Sequence, residues 1–130
     1  VWVRLPSPSS VGQEIRVTIA YSGEPITALL IAPNKHGDRT FFSGNWPNRA
    51  RNWLPTVDHP NDKASNELIV TAPVHYQVVS NGLQIEETNL GNGMKLTHWK
   101  NSVPIATWLY SLAAAEFAVQ RVGEFRGKDI

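Results

Sequence analysis

Phe41-Phe42-Ser43-Gly44-Asn45-Trp46-Pro47-Asn48-Arg49-Ala50-Arg51-Asn52-Trp53-Leu54-Pro55-Thr56-Val57-Asp58-His59-Pro60 carries neither the helical nor the strand period. It holds two of the five tryptophans and three of the nine prolines of the chain. A long, aromatic, proline-punctuated loop inside a compact domain is uncommon unless it is functional or packs as a small core of its own. Asp58, between Pro55 and His59-Pro60, is placed to cap the turn by accepting backbone N–H groups, or to pair with Arg51. Arg49 and Arg51 suit a phosphate or carboxylate, but a loop-bracing ion pair is the simpler expectation.

Outward from this loop the chain reads as strands. Gln13 to Tyr21 alternates strictly, with Ile15, Val17, Ile19 and Tyr21 on one face, which predicts a half-buried strand. Ser22-Gly23-Glu24-Pro25 is a turn, and Ile26 to Ala32 a more fully apolar strand. Asn34 to Asp38 is a polar turn before a strand over Arg39 to Phe42. Upstream, Trp2 to Leu5 reads as a strand end stopped by Pro6-Ser7-Pro8. Downstream, Glu67 to Pro73 and His75 to Val79 are short strands, the second closed by Ser80-Asn81-Gly82, where Asn-Gly favours positive φ. Leu83 to Thr88 and Met94 to Lys100 flank Asn89-Leu90-Gly91-Asn92-Gly93, the strongest hairpin signal in the chain. Val103 to Val119 is ambiguous. Ala113-Ala114-Ala115-Glu116 has helical propensity and Thr107-Trp108-Leu109-Tyr110 strand propensity, and a turn near Pro104 followed by a strand is expected. The whole predicts an all-β fold, an open sheet or sandwich. Residues 1–122 would form the domain and 123–130 a frayed tail or linker.

Composition narrows the class. At 130 residues, 42% hydrophobic and 18% charged, the chain is expected to be one globular domain. A formal charge of +1 without charge runs does not point to nucleic acid or an anionic membrane surface. The longest uncharged stretch, Ser102 to Ala115, is too short to cross a bilayer. The absence of cysteine excludes disulfides and thiolate metal sites. It leaves the compartment open, a periplasmic or secreted one being slightly favoured. The chain begins inside an apparent strand and reads as a piece of something larger.

Catalytic signatures are sparse. His36, His59, His75 and His98 are scattered, and none lies in His-Glu-x-x-His, the arrangement by which two histidines share a zinc beside a water-activating glutamate. Gly-x-Ser-x-Gly, P-loop and dinucleotide patterns are missing. Glu86 and Glu87 point to opposite strand faces and do not converge. Asp58 is expected to be structural. Trp46, Trp53, Trp99 and Trp108 on a sandwich would suit a carbohydrate- or protein-binding module, although the last three sit among apolar neighbours and fit core packing. Trp46, between Asn45 and Pro47, is the one placed at a surface cleft.

Ala50-Arg51-Asn52-Trp53-Leu54-Pro55-Thr56-Val57-Asp58-His59-Pro60 resembles a motif of the gluzincin zinc aminopeptidases, the aminopeptidase N and leukotriene hydrolase family. There it reads Ala-Arg-x-x-(aromatic or aliphatic)-Pro-x-x-Asp-x-Pro and lies in an N-terminal β domain. Lys63-Ala64, Thr71-Ala72-Pro73, Val79-Ser80-Asn81-Gly82, Pro104-Ile105-Ala106-Thr107-Trp108-Leu109 and the upstream Tyr21-Ser22-Gly23 are similar to further family motifs, in the right order. Each is weak alone. Together they imply a saddle-shaped N-terminal β domain without its first strands, inert by itself, in a zinc metallo-aminopeptidase. The resemblance places the catalytic domain, the zinc and its ligands beyond Ile130, with no cofactor in this stretch, and makes a peptide the parent's substrate. Arg51, Pro55, Asp58 and Pro60 are the structural motif residues. The family's Gln or Glu that holds the substrate amine falls at Trp46, with Gly44 two residues earlier. Trp46 accepts no hydrogen bond from an ammonium, though its ring face attracts one, and Asn45 offers a polar oxygen. Gly44, Asn45 and Trp46 are therefore the expected lining of the pocket for the substrate's first residue. An edge left open by missing strands is expected to pair with a second copy.

Overall fold

The computed structural model describes residues 3–129. Among them there are nine strands, two single 3-10 turns and no α-helix. The first sheet takes β1 (Leu29–Pro33), β2 (Arg39–Ser43), β4 (Gln77–Ser80) and β7 (Leu112–Ala115) in the order β1-β2-β7-β4. The second takes β3 (Ala64–Pro73), β5 (Leu83–Asn89) and β6 (Met94–Ile105) in the order β3-β6-β5. All pairings are antiparallel. The all-β expectation is borne out.

The two sheets meet over a thin core. Ala72 of β3, Val78 of β4 and Ala114 of β7 are buried together, with Phe41, Val70, Tyr76, Trp99 and Leu112 packed around them. Tyr76 meets the Phe41 ring edge-on at 5.8 Å. Trp99 extends from the second sheet and donates its indole N–H to the Val78 carbonyl of the first at 3.0 Å. That bond satisfies the polar atom the ring brings inside.

The β5–β6 hairpin forms as its alternation predicts. Asn89 and Asn92 fold their side chains onto Gly91 and Met94 N–H, and Gly91 and Gly93 supply positive φ. Asn34 Oδ1 caps the earlier turn by accepting from His36 and Asp38 N–H. The Asn81-Gly82 turn passes the chain from the first sheet to the second, since β4 pairs with β7 and β5 with β6. A Cβ on Gly82 would collide with the Lys100 carbonyl.

Four local expectations are corrected. Gln13 to Tyr21 belongs to no ladder, and Ile15, Val17 and Ile19 are 46%, 48% and 38% exposed. The described part of the proposed strand at Trp2 to Leu5 is likewise unpaired. Alternation marks which face would be buried, but a strand also needs a neighbour for its N–H and C=O groups. In the ambiguous stretch, β6 runs through Pro104 and the turn comes later, at Thr107–Leu109, while the strand expected after the turn forms as alanine-rich β7. There, pairing with β2 on one side and β4 on the other overrides alanine's helical preference. In the tail, β8 (Glu124–Phe125) and β9 (Lys128–Asp129) close a short hairpin over Arg126 and Gly127, both at positive φ, where composition suggested fraying.

Candidate functional site

The central loop is a bonded substructure between the sheets. It leaves β2 at Ser43, turns through a 3-10 turn at Ala50–Asn52 and rejoins the second sheet at Ala64. Ala50 is fully buried. Asp58 is its hinge. The side chain is 3% exposed, and its Oδ2 accepts the Arg51 backbone N–H at 3.1 Å and Arg51 Nε at 3.4 Å. The other oxygen, Oδ1, accepts from Thr107 Oγ1 at 2.7 Å. Burial pushes this carboxyl up, but the bonds from Thr107 and Arg51 outweigh it and hold it below its ordinary value. One carboxylate thus ties the Arg51 turn to the turn after β6. Both readings of Asp58, turn cap and Arg51 partner, hold at once.

A second set of bonds fixes the start of the loop. Gly44 N–H donates to the Ala28 carbonyl, and Ala28, only 2% exposed, sits at φ 73. A left-handed alanine costs about 1–2 kcal/mol and persists where surroundings over-determine it. Asn45 is 3% exposed. Its Oδ1 accepts the Trp53 indole N–H at 2.7 Å and its Nδ2 donates to the Tyr110 carbonyl at 2.6 Å. The oxygen that the sequence offers to a ligand is thus engaged with Trp53. Ser43 Oγ accepts the Leu112 N–H at 2.8 Å beside it. Burial, then Asp62, push the Tyr110 phenol up, so it stays a neutral donor to the Ala64 carbonyl.

Trp46 stands apart from this network. It is 64% exposed and followed by a cis bond to Pro47. Its carbonyl accepts Arg49 Nε at 2.8 Å. Gly44, Asn45 and Trp46 are adjacent, but only Trp46 presents a large side chain outward. Pro55 lies elsewhere, on the wall of a cavity of about 490 Å³ between the unpaired segment and the loop, lined among others by Ile19, Leu29, Trp53 and Leu54. Tyr21 spans its rim, donating to the Trp53 carbonyl at 2.9 Å. Pro60 follows His59, whose carbonyl accepts the Asp62 N–H in the closing turn.

The sequence did not reveal Thr107, Tyr110 and Leu112 as partners of this loop, because they lie 49 to 69 residues from the groups they bond. The faint signal was the polar Thr107 in an apolar run; it is 2% exposed. The histidines stay dispersed. His98 bonds Glu67 at 2.9 Å, His75 faces Glu116 at 4.0 Å, and His59 Nδ1 accepts from Asn61 N–H. Among the described residues no group of three or more His, Cys, Asp or Glu is placed to hold a metal ion. These residues do not fit a zinc centre, and no step through zinc is assigned to them.

The model of the Peptidase M1 N-terminal domain matches residues 1–109. The chain belongs to this family. Leucine aminopeptidase 2 of Neurospora crassa is 28% identical to this M1 N-terminal domain over 130 residues, covering 95% of the chain and 19% of the relative. An M1 zinc metallopeptidase from Deinococcus radiodurans superposes on 58% of the chain and 17% of its own, with TM-score 0.55 and 31% identity. A two-domain M1 zinc metallopeptidase solved with L-arginine matches 72% of the chain and 21% of its own, at TM-score 0.59 and 29% identity. The M1 N-terminal domain chain therefore spans about a fifth of the length of such relatives.

Proposed function

We propose that this chain is the non-catalytic N-terminal domain of a zinc metallo-aminopeptidase, that it lies over the catalytic domain, and that Gly44, Asn45 and Trp46 line the pocket for the substrate's first residue. Zinc, its ligands and the hydrolysis of peptides belong to the rest of the parent.

The observation that carries the covering role is an apolar row on the outer face of the first sheet. Leu30 pairs with Phe42, Phe42 with Ala113, and Ala113 with Val79, so these side chains cross all four strands in register. Leu30, Phe42 and Val79 are 42%, 45% and 46% exposed. The inner face already holds the core, so this outer row is spare apolar surface of the kind that marks an interaction site. Relatives about five times longer supply the occupant, the remainder of the same polypeptide.

Replacing Phe42 and Val79 with lysine in the full-length parent tests this. Loss of activity and early thermal unfolding, with the same pair silent in the 130-residue chain, is the expected result. An unaffected parent refutes the docking face. The lining role is tested by Trp46→Ala, which must change the kinetics toward aminoacyl substrates.

A binding module with a tryptophan platform has less support. Trp53 and Trp99 spend their indole N–H groups on internal acceptors and are partly buried, and Trp108 lies in the turn after β6.

A further inference from the structure

The cavity of about 490 Å³ beside the central loop combines an apolar wall with charged residues of both signs. Its volume falls among those of small-molecule sites, roughly 300–1,000 Å³. One wall is held in place. Trp53 and Leu54 both donate their backbone N–H to the Ala50 carbonyl, the Trp53 indole is bonded to Asn45, and Leu29 lies in β1 opposite Ser43. The facing wall, with Ile19 and Tyr21, belongs to no ladder, and the Tyr21 hydroxyl reaches across the rim to the Trp53 carbonyl. A small molecule passes that rim by displacing a hydrogen bond, without opening a sheet. Arg51 and Glu24 also line the cavity. Arg51 braces the loop with Nε, on the Asn48 carbonyl and the Asp58 carboxylate, and with Nη2, on the Asp58 carbonyl. Its Nη1 takes no part in these bonds. Among the described residues Glu24 has no hydrogen-bond or ion-pair partner.

We propose that this cavity binds a free α-amino acid with a large apolar side chain. Its ammonium pairs with Glu24, its carboxylate with Arg51, and its side chain lies against Ile19, Leu29, Trp53 and Leu54. The choice of ligand follows from charge complementarity. A ligand bearing only a positive charge meets the Arg51 guanidinium as a like charge, and one bearing only a negative charge meets Glu24 in the same way. A neutral apolar molecule uses neither group. A zwitterion with an apolar arm answers both charges by charge-assisted hydrogen bonds and fills the apolar wall as well. The loop side is already fixed by its internal bonds, so little order is lost there on binding. The site does not rest on the lining role proposed for Gly44, Asn45 and Trp46, and stands or falls without it.

The test is titration calorimetry on the 130-residue chain with L-phenylalanine as the probe. A single site with Kd on the order of 1 mM is expected, the affinity a ligand of that size reaches at ordinary efficiency. Phenethylamine, which lacks the carboxylate, and hydrocinnamate, which lacks the ammonium, should each bind about tenfold more weakly. Glycine, which has no apolar arm, should give no heat. Glu24→Gln should weaken L-phenylalanine about tenfold and hydrocinnamate not at all, and an exposed side chain without a partner leaves the fold intact when it is changed. Ile19→Trp fills the cavity from the unpaired side and should abolish binding of every probe. Equal affinity for the three phenyl compounds overturns the amino-acid assignment and leaves a merely apolar cavity. Binding of L-phenylalanine that survives both Glu24→Gln and Ile19→Trp lies elsewhere and overturns the site. No heat at about ten times the expected Kd overturns it too.

Discussion

Two stretches carry the same period-two signal and end in opposite states. Met94 to Lys100 lies in β6 with β3 on one side and β5 on the other. Gln13 to Tyr21 alternates just as strictly, yet joins no ladder and leaves Ile15, Val17 and Ile19 near half exposure. The Tyr21 hydroxyl ties it to the Trp53 carbonyl, over the cavity it helps to wall. The difference teaches that alternation encodes a face, whereas stability comes from a partner that satisfies the backbone and covers that face.

Breaking the paired side should cost most. Gly82 immediately precedes β5 at φ 88, with the Lys100 backbone filling the space a Cβ would need. Gly82→Ala is expected to destabilise the chain by at least about 3 kcal/mol, combining backbone strain with a steric clash that nothing flexible relieves. A urea titration that shows a loss below about 1 kcal/mol would contradict this placement.

Next is the clamp where β6 ends. Asp58→Ala strands the Thr107 hydroxyl and the Arg51 turn and should cost about 2 kcal/mol, less than a fully buried pair because Arg51 is half exposed. The sign of the pH effect follows from the lowered Asp58 value. The unfolded carboxyl titrates near 3.8 and the folded one below it. The contribution is complete above the unfolded value and is lost as pH falls through the folded one. Denaturation midpoints between about pH 2 and 6 should therefore fall more steeply on the acid side in the wild type than in Asp58→Asn.

The unpaired side should respond weakly. Ile19→Thr is expected to change the stability of this chain by less than about 0.5 kcal/mol, whereas Val70→Thr in the core should cost about 1–2 kcal/mol. Open edges pair with neighbours, so we expect concentration-dependent association that Val17→Lys weakens, read by light scattering. A monomer at every concentration would count against that pairing.

The smallest effect belongs to the outer face of the hairpin sheet. Glu67 bonds Lys100 at 2.8 Å and His98 at 2.9 Å, and these bonds hold its carboxyl below the ordinary range. Glu67→Gln should move the denaturation midpoint only slightly, and about 0.5 M salt should erase the difference, since exposed pairs are screened.

The sequence by itself determined the all-β class, the β5–β6 hairpin, the polar turns and the Asp58–Arg51 pair. Each is set by groups within a few residues of one another, whose spacing fixes what they reach. Its motifs also carried the family. Tertiary structure decided that alanine-rich 112–115 is a strand between two neighbours, that Thr107 closes the Asp58 clamp, and that Asn45 is spent on Trp53 and Tyr110 beneath an exposed Trp46. The hydrogen-bond partners of Asp58 and Asn45 lie up to 65 residues away in the chain, and no local period encodes them. Only the packing of one sheet on the other brings them within hydrogen-bond reach, where leaving them unpaired would cost more than their intrinsic preferences could return.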